Sequence, residues 1–429
     1  MVTAILLGAG QRGYEVYGQC ALEHPQDLKF VAVAEPDKAR RERFAQAHGI
    51  APEHTFESWE ALLAQPKLAD AAFICTQDRM HTQPTLLALE KGYHVLLEKP
   101  MSPVAGECIA MGKYAEKFNR VFSICHVLRY SEFFSAIKKV VASGKIGDVV
   151  NIKHAENVGY WHQAHSFVRG NWRNSEETSP MILQKCCHDM DIILWMMDKS
   201  CTKVSSMGSL EYFKPENAPA GAPGRCTDGC PAADTCIFNA ERFYLGENTH
   251  WPVSVISEDL SLEARRRARE TGPYGRCVYH CDNNVVDHQV TALEFEGGAT
   301  ATLTMCAFTP DCTRAIEVMG TKGYLRAEMK KFGDNSRHNE IWVSDFLTGE
   351  RERIEVNDHG LMTGHEGADV LLTMAFVKQV EEHNAQGRTA ASRSVESHLM
   401  SLAAEKSRVE GRQVSMSEMW AMGLSLIHI

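Results

Sequence analysis

Ala4-Ile-Leu-Leu-Gly8-Ala-Gly-Gln-Arg-Gly13 is the stretch whose reading decides the fold. An apolar, β-rich run ends in three glycines spaced G-x-G-x-x-G, and Tyr14–Glu23 carries on in a helical pattern. In a strand–turn–helix of this kind the first glycine permits a tight turn. The second lets a pyrophosphate approach the backbone, and the third lets helix and strand pack closely. The helix N-terminus, with its unpaired N–H groups and positive dipole end, then holds the phosphate. The cradle so expected comprises Gly8, Gly10, Gln11, Arg12 and Gly13, with the Arg12 guanidinium placed to pair with a phosphate.

Outward from this turn, β-rich runs and helical stretches alternate over residues 1–125. The runs are Ala4–Leu7, Phe30–Ala34, Ala71–Cys75, His94–Leu97 and Val121–Cys125; the helices are Tyr14–Glu23, Lys38–His48, Ser58–Leu63, Thr85–Lys91 and Ala105–Asn119. That rhythm predicts an α/β, Rossmann-type dinucleotide-binding domain with a parallel sheet covered on both faces. Glu35 closes the second run about 25 residues past Gly10. A carboxylate there accepts hydrogen bonds from ribose hydroxyls and repels a 2′-phosphate, so NAD is favoured over NADP. Arg40 and Arg41 lie close enough to blur that choice.

From residue 126 to 429 the pattern changes. A helix over Phe133–Ser143 leads to the strands Val149–Ala155, Val290–Phe295, Thr300–Cys306, Ala315–Met319, Tyr324–Glu328 and Glu340–Ser344, and the helices His365–His383 and Ser394–Val409 follow. This is an α+β domain with a mostly antiparallel open sheet, expected to bind substrate and to form oligomers. Residues 209–285 interrupt it with a segment rich in Pro, Gly and Cys. Unpatterned loops of that length are uncommon unless functional, which marks an insertion. The apolar tail Leu424–Ile429 has no physical account.

The length of 429 residues favours two domains, and 44% hydrophobic with 23% charged residues is an ordinary globular balance. A net charge of −10, with no basic tract beyond Arg265–Arg267, argues against nucleic acid. No apolar run reaches the ~20 residues of a membrane span, and the N-terminus lacks a signal-peptide pattern, so a cytoplasmic protein is expected. The 14 cysteines read as reduced thiols.

Further motifs carry chemistry. Thr76 ends a strand and precedes His81; Glu98-Lys99-Pro100 follows the next strand; His188-Asp-Met-Asp191 lies on a helix. Oxidising an alcohol requires removal of the hydroxyl proton, work suited to an imidazole. Lys99, at the carboxyl end of a parallel strand, can orient the hydroxyl or stabilise charge on its oxygen. Together with Gly320-Thr-Lys-Gly323 and Gly364-His-Glu-Gly-Ala-Asp369, this combination resembles the Gfo/Idh/MocA family of glucose–fructose oxidoreductase, inositol dehydrogenase and relatives. The resemblance implies that Lys99 and His188 flank nicotinamide and substrate hydroxyl, with Thr76, His81, Glu98 and Lys99 lining the cofactor site. It also implies that the open sheet often mediates oligomers.

Where the family commonly has an aspartate four residues before the histidine, this chain has Gln184, followed by Lys185. Lys185 is therefore a third candidate catalytic residue, two neighbouring lysines being expected to depress each other's pKa and expose a neutral amine. Tyr160, His165, Arg169, Trp172 and Arg173 form a polar and aromatic stretch suited to a sugar. With Gln184–His188 it resembles a sugar-processing branch of the family. There the expected function is NAD-dependent oxidation of a sugar or glycoside hydroxyl, at carbon three, to a keto-sugar. Two alternatives stand beside it: an NAD-retaining glycosidase working by transient oxidation, elimination, hydration and reduction, and a non-catalytic NAD sensor. Finally, Cys226, Cys230, Cys236 and Cys277, with Cys281 as a substitute, could form a tetrahedral structural zinc site that folds the insertion.

Overall fold

The computed structural model describes residues 1–331, 337–356 and 367–423. Gly364, His365 and Glu366 of the expected C-terminal motif, the start of the expected His365–His383 helix, and the tail Leu424–Ile429 lie outside them. The first sheet is built of β1 (Val2–Leu7), β2 (Leu28–Ala34), β3 (Thr55–Phe56), β4 (Ala71–Ile74), β5 (His94–Leu97) and β6 (Phe122–Ile124). Its order is β3-β2-β1-β4-β5-β6, with all pairs parallel. Every residue of β4 and β5 is buried, as helices on both faces require. The connections run outward on either side of β1, so the switch point lies between β1 and β4. In such sheets the crevice beyond the strands' carboxyl ends is the ligand site.

Local signals start and stop the covering helices. The Asp37 carboxylate accepts from Arg40 N at 2.9 Å and caps Lys38–His48, and Gly49 ends that helix in the left-handed region. Ser131 caps Glu132–Ala142 in the same way. The first helix departs from the expected regular turn: Arg12–Gly18 is a wider π-helix that continues as Gln19–Glu23.

The second sheet comprises β7 (Val149–Asn157), β8 (Cys201–Ser209), β9 (His288–Phe295), β10 (Thr300–Cys306), β11 (Thr313–Gly320), β12 (Gly323–Lys331), β13 (Arg337–Asp345), β14 (Arg351–Ile354) and β15 (Val414–Ser415). The order is β14-β13-β12-β11-β7-β10-β9-β8-β15, with only β7 and β10 parallel. Helices Cys187–Met197 and Ala391–Glu410 cover one face. The short strands β3, β14 and β15, and the whole of β8, carry too little alternation to be read from sequence.

The last helices do not stay with the second sheet. Ala391–Glu410 also packs on Ala105–Phe118, and Ala368–Glu381 packs on β1 and on the Arg12–Gly18 helix. Ile124 N donates to Thr389 O at 3.0 Å. One apolar core therefore runs through both sheets. The insertion builds two small clusters apart from that core, one around Phe213, Phe238 and Val278 that takes in Ala164 and Val168, and one around Tyr244, Val253 and Tyr274. It contains the helices Ala240–Tyr244 and Leu262–Thr271.

Candidate active site

Gly8 lies at φ +95°, and a Cβ there would come within 2.6 Å of the Cys75 carbonyl at the end of β4. At Gly13 a Cβ would collide with the Gly8 carbonyl. Only glycine allows this turn to close. By contrast a Cβ on Gly10 would meet nothing within 4 Å, so the backbone there faces open space of the kind a pyrophosphate needs. Glu35 follows β2, and its carboxylate accepts from Ala9 N at 2.7 Å and Asp37 N at 3.0 Å. The acid is thereby held against the glycine turn, with lone pairs to spare for ribose hydroxyls. Gln11 is exposed at the head of the helix.

Arg12 takes a different place from the one expected. Its Nε donates to Glu98 Oε1 at 2.6 Å and its Nη2 to Asp369 Oδ1 at 2.7 Å. Tyr17 Oη also donates to Glu98 Oε1, at 2.6 Å. Burial pushes the Glu98 pKa up, but the adjacent guanidinium outweighs it and the carboxyl titrates below its usual range. A buried carboxylate demands a cation more strongly than a solvated phosphate does, so Arg12 anchors the loop of Glu98. His81 likewise ties loop to loop: its ring nitrogens lie 2.8 Å from Pro100 O and 2.9 Å from Thr76 O. Glu98 and His81 thus fix the backbone on either side of Lys99.

Lys99 Nζ donates to Gln184 O at 3.2 Å and to Gln184 Oε1 at 3.1 Å. The position where the family commonly carries aspartate therefore holds this lysine through a neutral amide. His188 sits four residues further on, in the helix Cys187–Met197 that follows the short helix Met181–Gln184. Its ring centroid lies 5.8 Å from that of His126. Burial holds His126 neutral, with its pKa down at about 4, and the nearby Arg129 and Lys99 add to that against the pull of Asp191. Asp191 is buried and takes two bonds from Arg129, at 2.6 and 2.7 Å.

Lys185 is not the neutral amine expected. Burial lowers its pKa, yet Glu156, with its Oε1 3.2 Å from Nζ, more than reverses this, and the ammonium is held. Glu156 Oε2 also meets Arg314 at 2.7 Å; Arg314 Nε donates to Asp189 Oδ1 at 2.8 Å, where His154 Nε2 lies at the same distance. A neighbouring carboxylate decides Lys185's charge more strongly than a second lysine does. Sequence reasoning passed over this group. The signal was there: His154 and Glu156 sit two apart on one face of β7, and Arg314 pairs with Glu156 across the β7–β11 register.

The sugar-contacting residues expected from sequence are occupied elsewhere. His165 Nδ1 lies 2.9 Å from Tyr244 Oη, and the ring stacks on Tyr274. Arg169 donates to Phe238 O and Arg276 O, both at 2.7 Å, and Arg173 binds Asp282 bidentately. Tyr160 packs on Phe238, and Trp172 on Phe167. All but Trp172 fasten the insertion to the second domain.

The expected zinc centre is not formed: among the described residues no group of three or more His, Cys, Asp or Glu side chains could hold a metal. Cys226, Cys230, Cys236 and Cys277 are free thiols lining a cavity of about 20 Å³ beside Arg169. Arg169 Nη2 points at Cys226 Sγ from 3.7 Å, and Cys281 Sγ donates to Cys277 O. Spacing along the chain brought the thiols to one region, but side-chain direction did not converge them on a point. Among the described residues no helix is long and apolar enough to cross a membrane.

A parallel doubly wound sheet with an open glycine turn and Lys99 just past its strand β5, joined to a second domain that carries His188, is the architecture of a dinucleotide-dependent oxidoreductase. The description "Oxidoreductase family, NAD-binding Rossmann fold" matches residues 2–126, and "Oxidoreductase family, C-terminal alpha/beta domain" matches residues 138–416. The chain belongs to this family, Gfo/Idh/MocA. It is 27% identical to D-glucoside 3-dehydrogenase of Escherichia coli (strain K12) over 34% of this chain and 40% of that protein. It is 23% identical to the 2,7-anhydro-N-acetylneuraminate hydratase of the same strain, over 34% of this chain and 38% of that protein. The chain thus spans well under half the length of these relatives. The crystal structure of scyllo-inositol dehydrogenase from Lactobacillus casei, with bound NAD(H) and scyllo-inositol, superposes with TM-score 0.66 at 17% identity. That match covers 97% of this chain and 99% of the other.

Proposed function

We propose that this protein is an NAD-dependent oxidoreductase acting on a secondary hydroxyl of a sugar or glycoside, at carbon three, to give a keto-sugar. The observation that carries it is Lys99 held on Gln184, four residues before His188, in a fold whose glycine turn has room for pyrophosphate. The names of the relatives above, a glucoside dehydrogenase and an anhydro-sugar hydratase, support the substrate class.

Gly8, Gly10 and Gly13 hold the pyrophosphate, and Glu35 reads the ribose and favours NAD over NADP. When bound, the nicotinamide supplies the hydride acceptor. The protein's own residues do the rest. Two of the three Lys99 N–H donors are engaged by Gln184, which leaves the third for the substrate hydroxyl. His188 takes up the hydroxyl proton, and the Lys185 ammonium adds positive charge where the alkoxide develops.

Purified protein incubated with NAD⁺ and a panel of free sugars and glycosides should raise the absorbance of NADH and yield products two mass units lighter. A panel without oxidation or turnover refutes the reading. The hydratase relative supports a second one, in which NAD is retained and the aglycone leaves after transient oxidation. Release of aglycone at constant NADH absorbance distinguishes it.

A further inference from the structure

We propose that the insertion builds a second-ring subsite in which Trp251, Trp161 and Phe243 hold the aglycone ring of a glycoside, a second sugar or an aryl group. The proposal rests on the reading just given and extends it from the oxidised ring to its neighbour. Three observations carry it.

The first is position. His162 is buried, with Nδ1 3.3 Å from Cys312 Sγ. Cys312 stands two residues before Arg314, the partner of Glu156, which holds Lys185. Lys185 and Lys99 both act on the His162 ring, adding to the burial that keeps it neutral. Through Cys312 on the strand of Arg314, His162 is thus tied to the group that holds Lys185. The Trp251 ring stands on His162, centroid to centroid 5.0 Å and nearly perpendicular.

The second is shape. Trp161 stacks alongside His162 at 5.7 Å, meets Trp251 edge to face at 5.7 Å, and lies roughly parallel to Phe243 at 6.2 Å. Two indoles and a phenyl ring thus form a corner against His162. The third is exposure. Trp251 is 39% exposed, and Trp161 and Phe243 are only partly buried, so part of each ring is open to a ligand. Aromatic faces present large apolar area at fixed geometry, which suits the C–H face of a pyranose or an aryl ring. Trp251 and Phe243 both come from the insertion, so the element that interrupts the second domain supplies the specificity. Binding energy gathered on a remote ring helps to drive chemistry at the reacting one.

The test compares methyl, para-nitrophenyl and disaccharide glycosides of one sugar on the wild-type holoenzyme, Trp251→Ala and Trp251→Tyr. The wild type should favour the aryl glycoside or disaccharide over the methyl glycoside by about tenfold in kcat/KM. Trp251→Ala should abolish that preference while leaving the methyl glycoside within about twofold, and Trp251→Tyr should restore most of it. Equal kcat/KM for all three glycosides in the wild type, or a uniform loss in Trp251→Ala, overturns the subsite. If no glycoside is oxidised, the functional reading fails by itself. Calorimetric titration of the NAD-loaded protein with para-nitrophenyl glycoside then decides the subsite: weaker binding in Trp251→Ala supports it, and unchanged or absent binding refutes it.

Discussion

Lys99 owes its place to the contacts of its two chain neighbours and of its own amine. Glu98 is clamped by Arg12 and Tyr17, Pro100 is bonded to His81, and Nζ rests on Gln184. Removing the amine while keeping the bulk, as in Lys99→Met, should lower kcat about 10²–10⁴-fold and leave NAD affinity within a few-fold, measured by steady-state kinetics and fluorescence titration. Equal loss of both would place Lys99 in cofactor binding alone. At the same scale Lys185 was legible as a candidate but not its charge. Glu156 lies 29 residues upstream, and only the fold brings it to 3.2 Å.

Among the elements, the helix Cys187–Met197 carries His188 and is fixed from two sides. Asp189 is held by Arg314 and His154 from the sheet, and Asp191 by Arg129 from the short helix Val127–Tyr130 that follows β6. Cutting the second tie with Arg129→Met leaves a buried carboxylate without its cation. It should cost about 3–5 kcal/mol in stability, read as a fall in the denaturation midpoint. His126 and His398 lie with ring centroids 5.2 Å apart and planes tilted, and burial keeps both neutral, with pKa values at about 4 and about 3. The unfolded chain takes protons on them below about pH 6.5, whereas the native state refuses until about pH 4. Stability should therefore fall as pH drops through that window, by about 2 kcal/mol per histidine at pH 5. A melting temperature flat between pH 7 and 5 would contradict this assignment.

At the level of the whole molecule, the helices Ala368–Glu381 and Ala391–Glu410 return to the first sheet, and the Arg12–Asp369 ion pair joins the two ends of the chain. With one core through both sheets, differential scanning calorimetry should show the two main domains unfolding in a single transition. Two resolved main transitions would show that the shared helices do not couple them. The insertion, with its separate small clusters, is the segment expected to yield first to limited proteolysis.

The sequence by itself determined the Rossmann half, the antiparallel second sheet, the glycine cradle and the candidacy of Lys99 and His188. These rest on short-range rules: glycines at fixed offsets, periods of 2 and 3.6, and a lysine directly after a strand. Tertiary structure alone decided the partners. It gave Arg12 to Glu98, His165 and Arg169 to the insertion, Gln184 to Lys99 and Glu156 to Lys185. It also left the cysteines unconverged and set Trp251 beside His162. A polar side chain's role follows from which opposite charge or carbonyl it meets when water is removed. That meeting joins residues tens to hundreds of positions apart, beyond the reach of any local pattern.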